Sequence, residues 1–205
     1  MQGMRLREPG HHPGPDPALA SAVRHFTVAP PLRLKGRKNK GLRGLAGKPF
    51  HPPLTDIPIA AYLFAAVFDV LSISLHNGHA KVAEELFHGA TWVLLGGAAV
   101  SLLAALTGWA DWHRSSEPGT QARRTINTHA IIMITVTVLV LVDLALRLTT
   151  LDHTSSELSL VVLSVLAAVL VSIGSTYGGS LVYDYGFNVE TAGDHPVWHK
   201  SEQDV

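Results

Sequence analysis

Four long apolar stretches divide the chain, and each has the length that a lipid bilayer asks of a helix. Residues 86 to 110 and residues 158 to 183 contain no Asp, Glu, Lys or Arg. Residues 57 to 75 are interrupted only by Asp69, and residues 127 to 149 only by Asp143 and Arg147. A hydrocarbon layer of ~30 Å is crossed by roughly 20 apolar residues of helix. Core helices of water-soluble proteins are usually shorter and carry a polar face, so four such stretches in one chain predict an all-α, four-helix transmembrane bundle.

The polar positions set the remaining organisation. Residues 1–50 are rich in Pro, Gly, His and basic side chains without a sustained apolar period, and they are expected to be a disordered basic N-terminal region, because such a segment buries too little surface to offset its ordering entropy. Residues 51–190 form the four-span domain, and 191–205 a short polar tail. The first span opens on His51-Pro52-Pro53-Leu54-Thr55-Asp56-Ile57-Pro58, with proline in the first turn and Thr55 or Asp56 as the expected cap. Asn127 and Thr128 are the expected caps of the third span, ahead of His129.

A formal net charge of zero conceals a strong asymmetry. Ten of the 16 Lys and Arg residues precede the first span, three more (Arg114, Arg123, Arg124) lie between the second and third, and Lys200 is in the tail. Basic residues are retained on the cytoplasmic side, so a multi-pass protein of the cell membrane with both termini cytoplasmic is expected. The first span is expected to direct insertion itself, since no short apolar signal core precedes it. Between Asp16 and Asp56 eight basic residues accumulate without an acidic one. Attraction to anionic headgroups, about 1 kcal/mol per charge, makes the lipid bilayer the expected partner of this segment. No aromatic interleaving supports nucleic acid as a partner. The pattern assigns no oligomeric state.

The chain has no cysteine, which excludes disulfides, thiolate metal sites and covalent c-type haem attachment within it. Phosphate loops, nucleophile elbows, zincin helices and dinucleotide fingerprints are also missing. Twelve histidines alone define no metal site, and His11, His12, His25, His195 and His199 fall near the ends.

Because the chain zigzags, residues distant in sequence share a depth. The inner ends of the spans gather His51, Asp56 and Pro58, then Gly108, Trp109 and Asp111, then Asn127 and His129, then Gly178, Gly179 and Tyr183. His51 and His129 are the candidate cofactor residues, since two histidines from different helices can hold a b-type haem. Asp56, Asp111, Asn127 and Tyr183 complete a structural polar cluster at that face. Gly174, Gly178 and Gly179 form small-residue steps for close helix packing. Deeper, Asp69 is expected to hydrogen-bond His88, with Thr91 and Ser164 as further partners. Asp143 and Arg147 are spaced for an intrahelical ion pair. Trp92, Trp109 and Trp112 are expected to be interfacial anchors.

The order His51-Pro52-Pro53-Leu54-Thr55-Asp56-Ile57-Pro58-Ile59, Asp69, Thr107-Gly108-Trp109-Ala110-Asp111-Trp112, Asn127, His129 and Gly178-Gly179-Ser180-Leu181-Val182-Tyr183 resembles a bacterial family. Over roughly residues 45 to 190 the chain is similar to predicted four-helix membrane proteins catalogued as a domain of unknown function, some of which carry this unit fused ahead of a Rieske iron-sulfur domain. His51, Asp69, Asp111, His129 and Tyr183 fall on the family pattern and His88 does not. The resemblance implies redox work, with any iron-sulfur partner a separate protein, since no cysteine is present here.

Two readings follow. One is a small redox module that holds haem b between His51 and His129 near the cytoplasmic face and exchanges electrons with a separate redox protein. The alternative is a non-catalytic membrane scaffold or assembly protein whose polar cluster only locks helix ends. A transporter is disfavoured, since the sequence displays no internal repeat and only one deeply placed carboxylate.

Overall fold

The computed structural model describes residues 41–189. The expectations for residues 1–40 and for the tail lie outside these residues. Four helices follow a short 3-10 turn: α1 is His51–Leu75, α2 Ala80–Ser115, α3 Gln121–Thr149 and α4 Leu158–Tyr183. Among the described residues the only β pairing is an isolated bridge between Arg43 and Pro49. It belongs to a closed turn over residues 42–50, in which the Phe50 amide donates to the Leu42 carbonyl at 3.1 Å and the Gly44 amide to the Lys48 carbonyl at 2.7 Å.

All four helices are long and apolar enough to cross a membrane. Three of them outrun their apolar stretches. By a rise of 1.5 Å per residue the 36 residues of α2 measure about 54 Å, well beyond the hydrocarbon layer. Helix α3 likewise begins at Gln121, capped by Thr120, whose side chain accepts the Arg123 amide at 3.1 Å. Asn127 and Thr128 therefore lie inside this helix and are not its caps. Thr55 and Asp56 do not cap α1 either. That helix starts at His51, with Pro52 and Pro53 filling positions whose amides would be unpaired, and the Thr55 hydroxyl donates back to the Pro52 carbonyl at 2.7 Å.

Each helix packs against two neighbours, α1 on α2, α2 on α3, α3 on α4 and α4 on α1, which closes a ring. Small residues line much of the seams, among them Ala61, Ala65, Ala90, Gly97, Ala98 and Ala167, beside buried larger ones such as Tyr62, Leu94 and Val140, whereas Phe64, Leu103, Leu106, Ile131 and Val162 point outward. Lipid tails are as apolar as leucine, so the membrane gives no hydrophobic drive that would sort large side chains to the inside. Close backbone approach and interhelical polar contacts hold the helices together instead. At Gly97 an added Cβ would lie 2.6 Å from that of Ala61, so this crossing needs a residue without one.

The ring contains a repeat that the sequence conceals. A shift of 70 residues carries Ala90, Leu94, Gly97, Ala98, Ser101, Ala104 and Asp111 of α2 onto Leu160, Ser164, Ala167, Ala168, Val171, Gly174 and Leu181, which are all the buried residues of α4. A shift of 78 carries Pro58, Tyr62, Ala65, Ala66 and Asp69 of α1 onto Val136, Val140, Asp143, Leu144 and Arg147 of α3, all buried. The hairpin α1–α2 is thus repeated as α3–α4 with the same faces turned inward, a parallel repeat about an axis running along the bundle. The expectation that no internal repeat exists is corrected. So is the count of deep carboxylates, since both Asp69 and Asp143 are fully buried.

Candidate functional site

The repeat places the two candidate histidines at corresponding points. His51 opens α1, and its Nδ1 lies 2.9 Å from the Ala104 carbonyl of α2. His129 occupies the matching place in α3, and its Nδ1 lies 2.8 Å from the Gly174 carbonyl of α4. A carbonyl oxygen only accepts, so in both rings the proton sits on Nδ1 and the Nε2 lone pair is the acceptor or ligand atom.

One helical turn beyond each carbonyl stands a glycine against which the ring packs. A Cβ on Gly108 would lie 2.8 Å from Cε1 of His51, and one on Gly178 would lie 3.3 Å from Cε1 of His129. The two imidazoles differ in one neighbour. The Thr107 hydroxyl donates to the Ala104 carbonyl at 2.9 Å and turns its lone pair towards Nδ1 of His51 at 3.1 Å, whereas the corresponding residue on α4 is Tyr177.

Around this pair the expected polar cluster is only partly assembled. Asn127 accepts the Trp112 indole N–H at 2.8 Å, and the Arg123 guanidinium lies 3.7 Å over the Trp112 ring while donating to the Trp112 carbonyl at 2.9 Å. Arg123 also bonds the Ser116 hydroxyl, so the α2–α3 connection is tied to the end of α2. Trp112 is therefore part of a clamp, while Trp92 and Trp109 are exposed. Asp111 is buried, with one carboxylate oxygen lacking a hydrogen-bond partner. Asp56 is exposed on α1, and Tyr183 is exposed at the end of α4. Of the glycine steps, Gly174 meets Met133 and Ile132 of α3, Gly178 meets His129, and Gly179 faces open space.

At the opposite end the structure replaces the expected Asp69 to His88 bond with a different network. Asp69 bonds Arg147 through one oxygen and accepts the Ser156 hydroxyl through the other at 2.7 Å. His88 instead lies 4.0 Å from Glu84 on its own helix, half-exposed. The reason is reach: Arg147 extends from α3 across the axis to Asp69 and brings a permanent charge with it. The Asp143 to Arg147 pair is present at 2.8 Å, and Thr91 stands 3.5 Å from the guanidinium. Ser164 donates within its own helix to the Val161 carbonyl. Ser156, the reach of Arg147 to Asp69, and the contacts of Thr107 and Gly108 with His51 escaped sequence reasoning. A signal was available for Arg147, because His51 to Asp69 and His129 to Arg147 share a spacing of 18 residues.

No group of three or more metal-ligating side chains occurs among the described residues. What the fold defines is a four-helix membrane bundle with a paired-histidine end and a buried ionic end. Residues 47–191 match the family model described as "Predicted membrane protein (DUF2231)", and the chain belongs to that family. No curated protein and no solved structure matches it significantly.

Proposed function

We propose that this chain is a small membrane redox module in which His51 and His129 hold a b-type haem near one end of the bundle and pass electrons to a separate redox protein. The supporting observation is the matched pinning of both Nδ1 atoms on backbone carbonyls of the neighbouring helix. A ligating imidazole generally donates its other N–H to a carbonyl or carboxylate, which fixes tautomer and ring orientation and raises ligand basicity. The donor set fits haem iron, since two neutral imidazoles come from helices facing each other across the axis. Bound haem supplies reversible one-electron chemistry at its iron. The chain's own part is to orient the two rings through Ala104 and Gly174, with Gly108 and Gly178 leaving room for them. Thr107 adds a second acceptor on the His51 side alone.

The excess of Lys and Arg before α1 and around the α2–α3 connection favours the cytoplasm for this end, with both termini inside. Membrane fusions carrying reporters at each terminus test that orientation.

The deciding experiment is an absorption spectrum of the detergent-purified protein. A Soret band is expected in the parent and is expected to vanish in His51→Ala and in His129→Ala. A colourless parent purified from haem-replete cells, with both variants merely less stable, would overturn the redox reading in favour of a scaffold.

A further inference from the structure

At the end of the bundle away from the histidines, one guanidinium sits between two carboxylates, and all three side chains are withdrawn from solvent. Asp69, Asp143 and Arg147 each have no exposed surface. With both acids ionised, the cluster carries a net charge of −1 in a helix bundle surrounded by hydrocarbon, a state that burial strongly disfavours.

The groups that face the cluster do not supply the missing positive charge. From α2 come the Thr91 hydroxyl and the Phe87 ring, the latter 5.8 Å from the Arg147 guanidinium carbon. From the connection ahead of α4 comes Ser156, and from α1 only Asp69 itself. The titratable side chains nearby, Glu84, His88, His153 and Glu157, are partly or largely exposed and pair among themselves at 4.0 and 3.2 Å.

The two carboxylates are unequally served. Asp69 receives a donor on each oxygen, Ser156 on one and Arg147 on the other. Asp143 receives the Arg147 Nε–H on Oδ1 at 2.8 Å, but the nearest donor to its Oδ2, Nη2 of Arg147, stands at 3.5 Å, the outer limit of a hydrogen bond. That oxygen holds only this long bond, and from the same guanidinium that serves Oδ1, so it is the most weakly served of the four carboxylate oxygens.

We propose that this cluster is a binding site for one proton, carried on Oδ2 of Asp143, so that an ionised Asp69 and Arg147 neutralise each other beside a neutral acid. The site is independent of what the histidine pair holds.

Infrared spectroscopy of the full-length protein in liposomes at neutral pH tests it. A carbonyl stretch of a protonated carboxylic acid, shifted in heavy water, is expected in the parent. It is expected to persist in Asp111→Asn and to disappear in Asp143→Asn. Because Asn imitates the neutral acid, Asp143→Asn is also expected to unfold at the parent's midpoint, whereas Asp69→Asn unfolds well below it. Absence of the band from the parent, its survival in Asp143→Asn, or an Asp143→Asn protein as unstable as Asp69→Asn would each overturn the proposal.

Discussion

Asp69 and Arg147 stand at corresponding points of two repeated helices, each 18 residues beyond its own histidine, and are bonded to each other in the bundle interior. One axis thus carries a pair of like rings at one end and a pair of opposite charges at the other. At 1.5 Å per residue the two ends are about 27 Å apart, close to the thickness of a hydrocarbon layer.

Removing Arg147 leaves buried acid without a counter-charge. Arg147→Met is expected to destabilise the bundle by ~3–5 kcal/mol, and the same change combined with Asp69→Leu and Asp143→Leu is expected to recover most of that loss. Unfolding in a detergent and denaturant series measures both. Equal damage in the single and triple variants would contradict it.

Ser156 joins the connection ahead of α4 to α1 twice: its hydroxyl donates to Asp69, and its amide donates to the Ser72 hydroxyl at 3.0 Å. Ser156→Ala keeps the amide bond and removes a donor from a buried carboxylate. A loss of ~1–3 kcal/mol is expected, together with faster amide exchange across residues 150–157.

The glycines of the histidine end are expected to rank by the space available to a Cβ. Gly108→Ala forces the His51 ring to move and should cost ~1–3 kcal/mol. Gly178→Ala needs a shift of only a few tenths of an ångström by His129 and should cost less. Gly179→Ala meets nothing and should gain ~0.5–1 kcal/mol through helix propensity. Thermal unfolding of the three variants checks the order, which a loosely packed end would not produce.

Arg123→Lys keeps the charge but gives up the planar stacking on Trp112 and the fork of donors that ties the α2–α3 connection to the end of α2. The change is expected to cost ~0.5–2 kcal/mol. Protease cleavage within residues 116–120 should become faster, while a cleavage rate equal to the parent's would show that the clamp is idle.

The spans were legible because four uncharged or nearly uncharged runs of bilayer length seldom occur together in a water-soluble chain. The helix ends were not, since Gln121 to Ile126 are too polar to extend an apolar run yet continue a helix begun by Thr120. The intrahelical Asp143 to Arg147 pair was readable from its four-residue spacing. Arg147 reaching Asp69 depended on the facing of two helices distant in sequence, and pairing Asp69 with the nearer His88 was the result. The repeat was hidden for a physical reason. Positions that face lipid accept any large apolar residue, and a seam position can hold a small residue in one hairpin and a large one in the other, as Ala90 and Leu160 do, so matching faces survive while matching letters do not.

Two copies of an identical hairpin meeting on an axis can only set acid against acid or base against base at one axial level. Tandem linkage in a single polypeptide lifts that restriction. Asp69 opposite Arg147 is an arrangement that a symmetric homodimer of half-length chains could not make, so covalent joining is what permits this bundle an ionic lock on its axis.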